Sequence, residues 1–175
     1  MIVMIVVCVV ASGTLNTQPA HASLREYKLK AAFLYNFVKF VKWPTAAFAD
    51  TNTPIVIGVL GEDPFGVALE AIENKTIGGR QLVIKRYKGL QDLEPSHILF
   101  ISSSERARLP QILVNLKGAS VLTVGEMVQF AQSGGIINFT RRKNKIRLEI
   151  NLDAAKRAGL KISSQLLKLA KVIKA

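Results

Sequence analysis

The sequence predicts a single α/β domain of three layers, in which a mostly parallel sheet is flanked by helices. Short runs rich in Ile, Val and Leu alternate with segments of helical periodicity over most of the chain, as expected for strands that helices cover on both faces. Residues 136–140 and 145–150 flank a polar turn, so an antiparallel hairpin is predicted near the C-terminus. A length of 175 residues suits one domain rather than two.

The composition excludes several classes of protein. Hydrophobic residues make up 49% of the chain, which is enough for a core and excludes a chain that is disordered as a whole. The only cysteine is Cys8, so a miniprotein built on disulfides is excluded. A multi-span membrane protein is not expected, because only one long apolar run lacks charge and it is short.

The N-terminus is typical of a secretory signal peptide. Met1–Ala11 is an uncharged apolar run, and Ala20 and Ala22 are the small residues that signal peptidase accepts before a cleavage site. We expect cleavage between Ala22 and Ser23. Signal peptides usually begin with basic residues, and none precedes this apolar run. Two alternatives therefore stay open: translation starts further upstream, or the run is a buried N-terminal strand and not a signal. The prediction divides the chain into a signal peptide, residues 1–22, and an exported α/β domain, residues 23–175.

The first predicted helix follows this segment. Ser23 and Glu26 have the spacing of a capping box, and apolar residues recur at helical spacing as far as Val41. The helix is expected to stop at Trp43, because Pro44 follows. Its apolar face is too broad for a solvated helix and should pack on the sheet.

The middle of the chain alternates predicted strands and helices. The predicted strands are residues 54–60, 82–87, 97–102 and 120–124. The predicted helices are residues 65–73, a helix from Ser104 that Gly118 ends, and residues 126–131.

Two helices are predicted after the hairpin. Residues 151–158 form the first, which Gly159 ends. Ser163 caps the second, whose inward face is expected to carry Leu166, Leu169, Ala170 and Ile173 and whose outward face carries Lys168, Lys171 and Lys174.

No phosphate-binding or phospho-accepting motif is complete. Gly61 and Gly66 have the spacing of a phosphate-binding loop, but Val and Ala follow where Lys and Ser or Thr are needed. Glu62 and Asp63 follow the first strand, as in a receiver domain, yet residues 102–104 are serines where that domain needs an aspartate. We therefore expect Asp63 to cap the next helix.

No catalytic, metal or cofactor site is predicted. His97 is the only histidine outside the predicted signal, so a metal site with several histidines is not possible in the mature chain. The single cysteine, Cys8, lies in the predicted signal and cannot supply a set of thiolate ligands. A serine hydrolase would have to use His97, with Ser102 on the same strand, and no nucleophile-elbow motif surrounds that serine. The sequence argues against an enzyme.

The excess of basic residues is the strongest surface feature. Lys and Arg number 24 against 12 Asp and Glu, a net charge of +12, and such a surface attracts anions. No base-reading element accompanies the charge, so nucleic acid is not the expected partner. For an exported protein, the candidates are an anionic envelope surface and the acidic face of another protein. Several of the basic residues lie towards the C-terminus, among them Arg141, Arg142, Lys143, Lys145, Lys156, Arg157, Lys161, Lys168, Lys171 and Lys174.

Four segments carry a family resemblance. They are residues 27–37 (YKLKAAFLYNF, closing with Trp43-Pro44), 134–139 (GGIINF), 145–152 (KIRLEINL) and 160–170 (LKISSQLLKLA). In these segments the chain resembles the YfiR-like family of small periplasmic proteins. The resemblance runs from about residue 26 to the end.

The resemblance implies regulation by binding in the periplasm. The expected activity is non-catalytic repression of an inner-membrane diguanylate cyclase through its periplasmic sensor region, which lowers cyclic di-GMP and disfavours biofilm growth. A sensor kinase is the other possible partner, and a homodimer is also possible. Some members carry disulfides, which the predicted mature chain cannot form because it has no cysteine.

An apolar patch with a basic rim on the last helix is the expected contact with the partner. It comprises Arg157, Lys161, Ile162, Leu166, Leu167 and Lys168. Helical spacing is equally typical of core leucines, so a place in the core is the alternative for these side chains. Tyr27, Tyr35 and Trp43 could line a ligand groove, or belong to the core.

Two other functions stay open. One is a periplasmic protein that binds a small ligand or a cell-wall fragment and has no cyclase partner. A deep polar pocket would favour it. The other is an uncharacterised hydrolase, which a buried His97 hydrogen-bonded to a serine hydroxyl would favour.

Overall fold

The computed structural model describes the backbone of residues 18–174 and the side chains from residue 23 onward. The helices are α1 (Gln18–Phe40), α2 (Leu109–Asn115), α3 (Leu152–Arg157) and α4 (Ser164–Leu167). The strands are β1 (Val41–Lys42), β2 (Ile55–Leu60), β3 (Thr76–Ile77), β4 (Arg80–Tyr87), β5 (Ile98–Ile101), β6 (Leu122–Gly125), β7 (Ile137–Arg142), β8 (Lys145–Asn151), β9 (Lys161–Ile162) and β10 (Ala170–Ile173). None of the helices in this part of the chain has the length and apolar character that a membrane span requires.

Eight of these strands form one mixed sheet in the order β10-β8-β7-β6-β5-β2-β4-β3. The five strands from β4 to β7 in that order run parallel, and β10 is parallel to β8. Antiparallel pairs are β7 with β8, β3 with β4, and the separate small pair of β1 with β9. The predicted fold class, a mostly parallel sheet with an antiparallel hairpin near the C-terminus, is confirmed.

Helices cover both faces of the sheet because its central strands are apolar on both sides. All six residues of β2 are buried. On one face, Leu34 and Phe37 of α1 share a core cluster with Ile57 of β2, and the rings of Phe37 and Phe139 stack 6.0 Å apart. On the other face, Ile112 of α2 belongs to a second cluster with Leu60 and Leu99. The chain therefore has the three layers that were predicted.

The C-terminal hairpin forms as its alternating pattern predicts. Lys143 and Asn144, at the turn between β7 and β8, both have positive φ, 49° and 57°. Two left-handed residues in succession match the twist of the flanking strands, as in a type I′ turn. Leu148 and Ile150 point to the core, whereas Lys145 and Arg147 are exposed.

The prediction of a long last helix is wrong. Ser163 caps α4 as predicted, since its side chain accepts from the Leu166 amide, but the helix ends at Leu167. Ala170–Ile173 then forms β10, which pairs with Leu148 to Asn151 of β8, and Leu169 is 67% exposed rather than inward. A backbone ladder to β8 outweighs the helical spacing of a few apolar residues.

Helix α1 differs from the prediction at both ends. It already includes Gln18, so the capping box at Ser23 does not begin it, and it ends at Phe40 rather than Trp43. Val41–Lys42 leaves the helix to pair with Lys161–Ile162. The predicted signal sequence lies largely outside the described residues. Its cleavage site at Ala22 and Ser23 falls within α1 and stays a prediction.

Two other predicted helices do not form. Residues 65–73 contain only a 3-10 turn, Gly66–Leu69, and residues 126–131 form turns. Gly66 and Gln129 have φ of 50° and 62°, a left-handed conformation that interrupts an α-helix. The helix predicted from Ser104 begins as a 3-10 segment, Ser103–Arg108, and becomes α2, while Gly118 takes a left-handed φ of 85° just beyond it.

Candidate functional site

Side chains of the protein pack closely against the end of β2, at the usual ligand position of an open α/β sheet. In such sheets ligands bind at the carboxyl ends of the strands where the strand order reverses, which here is between β2 and β5. Ser104 and the buried Glu105 lie there against Gly61, so closely that a Cβ on Gly61 would be 2.4 Å from Ser104 Oγ. Arg108 pairs with Glu105 at 2.7 Å. Ser104 and Glu105 therefore take up the space directly beside Gly61.

Asp63, beside that position, has the capping role that was predicted for it. Its Oδ1 accepts from the backbone amides of Phe65 and Gly66, at 2.7 and 3.3 Å, and its Oδ2 pairs with Arg86 at 2.7 Å. The capped segment is a 3-10 turn rather than the α-helix predicted.

A cavity of about 560 Å³ opens further along the same edge of the sheet, beyond the end of β6. Strand β6 stops at Gly125, and its ladder with β7 has two residue pairs, Val124 with Ile137 and Gly125 with Asn138. Strand β7 continues to Arg142, so its edge beyond Asn138 faces the cavity instead of a neighbouring strand. The N-terminal half of α1 and the loop after β6 supply the other walls.

Four side chains, which we name the Lys30 cluster, join α1 to the start of that loop: Glu26, Tyr27, Lys30 and Glu126. Lys30 is only 5% exposed, and its Nζ lies 2.7 Å from Glu26 Oε1 and 2.5 Å from Glu126 Oε2. The Tyr27 hydroxyl donates to Glu126 Oε1 at 2.8 Å. A buried ammonium with two carboxylates satisfies the requirement that buried charge be paired.

The electrostatics of the cluster keep its phenol protonated. Burial raises the pKa of Tyr27 well above its ordinary value, and the hydrogen bond to Glu126 and the charge of that carboxylate raise it further. The hydroxyl is therefore a hydrogen-bond donor at every physiological pH. It orients the Glu126 carboxylate and is not a base.

The opposite wall of the cavity carries a pair of acceptors. Asn138 of β7 and Glu149 of β8 are direct partners in the antiparallel register. Asn138 is 1% exposed, its Nδ2 donates to the Met127 carbonyl at 2.9 Å, and its Oδ1 has no hydrogen-bond partner among the described residues. The Glu149 side chain is 16% exposed, with the Lys171 ammonium 3.6 Å away.

His97 is a structural residue. Its Nδ1 accepts from the Val56 amide at 3.1 Å, so the Nε2 proton donates to the Ala47 carbonyl, also at 3.1 Å. The ring stacks on Phe48 with 4.6 Å between centroids. Burial lowers the pKa of His97, which favours this neutral form. Both nitrogens serve the backbone, so the serine contact that a hydrolase would need is not made.

The three aromatic residues considered for one ligand groove lie in different surroundings. Tyr27 belongs to the Lys30 cluster, and Tyr35 packs beneath the ammonium groups of Lys39 and Lys75. The indole of Trp43 donates to the His97 carbonyl at 3.2 Å. All three are packed against the core, so the structure does not gather them into a groove.

The six residues predicted to contact a partner separate into a surface set and an inner set. Arg157, Lys161 and Lys168 are exposed. Ile162, in β9, and Leu167 are half-buried against the core, and Leu166 is 3% exposed. Leu166 therefore has the core position that was the alternative reading, and the helix expected to carry the patch is a single turn.

Sequence reasoning missed the acceptor pair and the partner of Lys30. Asn138 stands between the apolar residues Ile137 and Phe139, and Glu149 alternates with core residues, so the local pattern of both segments indicates structure and not a site. A polar residue at a buried strand position is the available signal for Asn138. No local signal identifies Glu126 as the partner of Lys30, because 96 residues separate the two.

The fold and the site together define a class. The parallel strands have the chain order 2-1-3-4-5 that flavodoxin-like domains share, with a polar cavity at the carboxyl edge of the sheet. Among residues 18–174 no three His, Cys, Asp or Glu side chains are grouped so that they could hold a metal ion. The molecule is a small α/β domain of flavodoxin-like strand order with a polar cavity at the carboxyl edge of its sheet.

The chain belongs to the YfiR/HmsC-like family, whose model matches residues 27–171. The family resemblance predicted from the sequence is thereby confirmed. Members of this family are periplasmic, are known as regulators of diguanylate cyclases, and are regulatory rather than catalytic.

Comparison with solved structures supports the fold. The chain is similar to a conserved domain protein from Vibrio cholerae O1 biovar El Tor strain N16961, with a TM-score of 0.56 and 16% sequence identity. The match covers 85% of this chain and 60% of that one, so the chain spans less than two thirds of the protein it resembles. A search of curated proteins gives no significant match.

Proposed function

We propose that this protein is exported to the periplasm, binds the periplasmic sensor region of an inner-membrane diguanylate cyclase and represses it, which lowers cyclic di-GMP. The observation that carries the proposal is the family match over residues 27–171, because regulation of diguanylate cyclases is what this family is known for. Repression requires that the protein bind the inactive state of the sensor more tightly than the active state.

The exposed basic residues near the C-terminus support an electrostatic contribution to this contact. Lys161 and Lys168 are exposed, and Leu169, next to Lys168, is a large apolar side chain 67% exposed to solvent. Cations around an apolar residue suit the rim and centre of a protein interface. An acidic face on the sensor would complement the net charge of +12 and accelerate association.

Deletion and complementation test the proposal. Deleting the gene should raise cyclic di-GMP, and the wild-type gene should restore the original level. A Lys161→Glu, Lys168→Glu variant should restore it poorly, because charge reversal on an interface rim slows association. The matched control is Lys88→Glu, Arg106→Glu, which makes the same charge change at two other exposed positions. Unchanged cyclic di-GMP after deletion would contradict the proposal.

Recovery of the partner is a direct second test. The tagged protein, crosslinked in envelope extracts, should capture a membrane diguanylate cyclase, or a sensor kinase if that is the partner. The charge-reversal variant should capture less of it than the matched control does. Capture of no membrane signalling protein by the wild type would count against repression by contact.

The export step has its own measurement. Intact-mass analysis of the periplasmic fraction should find a chain that begins at Ser23, as expected from Ala20 and Ala22 before the cleavage site. A full-length product confined to the cytosol would contradict export.

The cavity beside β7 favours a second candidate function, the binding of a small periplasmic ligand or a cell-wall fragment. Its volume of about 560 Å³ is within the range of small-molecule sites. The two functions are compatible, since a ligand can act as the signal that changes the affinity for a partner.

A further inference from the structure

The acceptor pair, Asn138 and Glu149, defines the chemistry that the cavity can recognise. Opposite residues of an antiparallel pair project from the same face, with Cβ atoms about 4.5–5.5 Å apart. One N–H of the Asn138 amide donates to the Met127 carbonyl, and its oxygen is the side-chain atom without a partner among the described residues. A buried carbonyl oxygen without a hydrogen-bond donor is costly, and a ligand that donates would remove that cost.

Glu149 adds a negative charge to this acceptor. Within the described residues its carboxylate has an ion pair with Lys171, at 3.6 Å, beyond hydrogen-bond distance. The other two carboxylates of the cavity, Glu26 and Glu126, are already held by Lys30 at 2.7 and 2.5 Å. Glu149 is therefore the carboxylate of this cavity with the most capacity to accept hydrogen bonds from a ligand.

The balance of charge in the cavity favours a cation. Three glutamates line it, Glu26, Glu126 and Glu149, against two lining cations, Lys30 and Arg141, and the third cation nearby, Lys171, is 72% exposed and outside the lining. This locally acidic lining belongs to a protein of net charge +12, so it is not a consequence of overall composition. An anion would meet the unpaired oxygen of Asn138 and the carboxylate of Glu149 and would be repelled by both.

A donor-rich organic cation fits better than a metal ion. Calcium takes six to eight oxygen ligands and magnesium six, whereas the acceptor pair supplies one amide oxygen and one carboxylate, and no three His, Cys, Asp or Glu side chains of the described residues are grouped around them. An ammonium group carries three donors on one nitrogen, enough for Asn138 Oδ1, a Glu149 oxygen and one further acceptor. We propose that the cavity binds a small primary amine, with its ammonium group seated between Asn138 and Glu149.

Lys171 would compete with such a ligand. Its ammonium already approaches Glu149, and its side chain is 72% exposed, so it can swing into solvent at little cost. Removing this cation should make the carboxylate more available and so tighten the binding of an amine. A purely structural Glu149 would give no such gain.

Titration of the full chain with n-butylamine, followed by the amide signals of Asn138 and Glu149 in two-dimensional NMR, tests the inference. Butan-1-ol, of similar shape and without charge, is the control ligand. Butylamine should bind saturably and butanol should not. Glu149→Gln should weaken butylamine binding about tenfold, the value of a charge-assisted hydrogen bond. Lys171→Gln should strengthen it about twofold to fivefold.

Glu94→Gln is the matched control variant, because Glu94 is also a carboxylate paired with a lysine, Lys85, and lines a different cavity. It should leave butylamine binding unchanged. The inference is overturned if butanol binds as well as butylamine, if Glu149→Gln has no more effect than Glu94→Gln, or if no amine binds saturably. It is equally overturned if Lys171→Gln leaves the affinity unchanged, a test that does not depend on the folding of the Glu149 variant.

The inference rests on the small-ligand function and not on cyclase regulation. If no amine binds, the cyclic di-GMP response to deletion is unaffected. If deletion has no effect on cyclic di-GMP, the titration still reports on the cavity. The two failures are therefore distinguishable.

Discussion

Replacement of Lys30 by methionine tests whether the Lys30 cluster attaches α1 to the loop after β6. Methionine keeps the length and apolar stem of lysine and removes the charge. The Glu126 side chain is 13% exposed; in the variant it keeps the hydrogen bond from the Tyr27 hydroxyl and loses its ion-pair partner. Within the described residues, Glu26 then has one ion-pair partner left, Arg141, 3.4 Å away. Among the described residues, the mostly buried Glu126 carboxylate is then left without a counter-charge.

The expected cost follows from this geometry. Removing one partner of a buried ion pair costs about 3–5 kcal/mol. Glu126 retains a hydrogen bond and some contact with water, so the lower end, about 3 kcal/mol, applies. For a domain of this size that corresponds to a fall in melting temperature of about 6–12 °C. It is a large fraction of a total stability of about 5–15 kcal/mol.

Urea unfolding, monitored by circular dichroism, measures the change. Lys156→Met is the matched control, because Lys156 pairs with Asp153 at 3.8 Å and its side chain is 74% exposed, so its loss should cost under about 0.5 kcal/mol. Adding Glu126→Gln to Lys30→Met should recover part of the loss, since glutamine still accepts from Tyr27 and carries no charge. Equal stability of the two lysine variants would refute the reasoning, as would strictly additive losses in the double variant.

Two further predictions concern the rest of the core. Because burial lowers the pKa of His97 below its ordinary 6.5, the unfolded chain takes up this proton first as the pH falls. The free energy of unfolding should therefore decrease as the pH falls from 6.5 to the pKa that His97 has in the folded protein, by at most about 1.4 kcal/mol per pH unit. His97→Gln should make this dependence on pH smaller. Urea unfolding at several pH values between about 5 and 7 measures it. Gly58→Ala should lower the free energy of unfolding by about 1–3 kcal/mol, because a Cβ at this position would lie 2.6 Å from the Tyr87 ring. Thermal unfolding measures the loss. A melting temperature equal to that of the wild type would show that the ring can move aside without cost.

The strands were predictable because they are buried on both faces or on one. Residues 54–60 are an unbroken β-rich run, and the structure buries all of Ile55–Leu60. In the C-terminal hairpin the apolar and charged residues alternate, and Ile146, Leu148 and Ile150 are less exposed than Lys145 and Arg147. Both patterns are local, so they require no knowledge of the remaining chain.

The errors arose where non-local contacts decide the backbone. Residues 126–131 have helical spacing, but the Phe130 ring packs against the backbone of Gly125 and Gly135, where a Cβ would lie within 2.6 and 2.2 Å of it. The residue before Phe130, Gln129, has a left-handed backbone conformation with a φ of 62°, which does not occur within an α-helix. Ala170–Ile173 likewise depends on the edge that β8 offers.

The candidate site was beyond prediction for the same reason. Its parts come from α1, the loop after β6 and both strands of the hairpin, and the hydrogen bond between Tyr27 and Glu126 spans 99 residues. Nothing in the local pattern around Lys30 distinguishes a buried ammonium from a solvated one. Periodicity placed it on a helix and could not supply its partner.

The position of the cavity determines how a bound ligand could change the affinity of the protein for a partner. One wall is the Lys30 cluster, which joins α1 to the loop after β6, and the other is the acceptor pair on the hairpin. A ligand between these walls alters partner binding only if the free and partner-bound forms hold them differently. By linkage, an amine that changes the affinity for the sensor region by a given factor must have its own affinity changed by that same factor. Measuring butylamine affinity with and without the sensor region therefore decides the question: a difference makes the cavity an input to cyclase regulation, and equality makes ligand binding and repression independent properties of one domain.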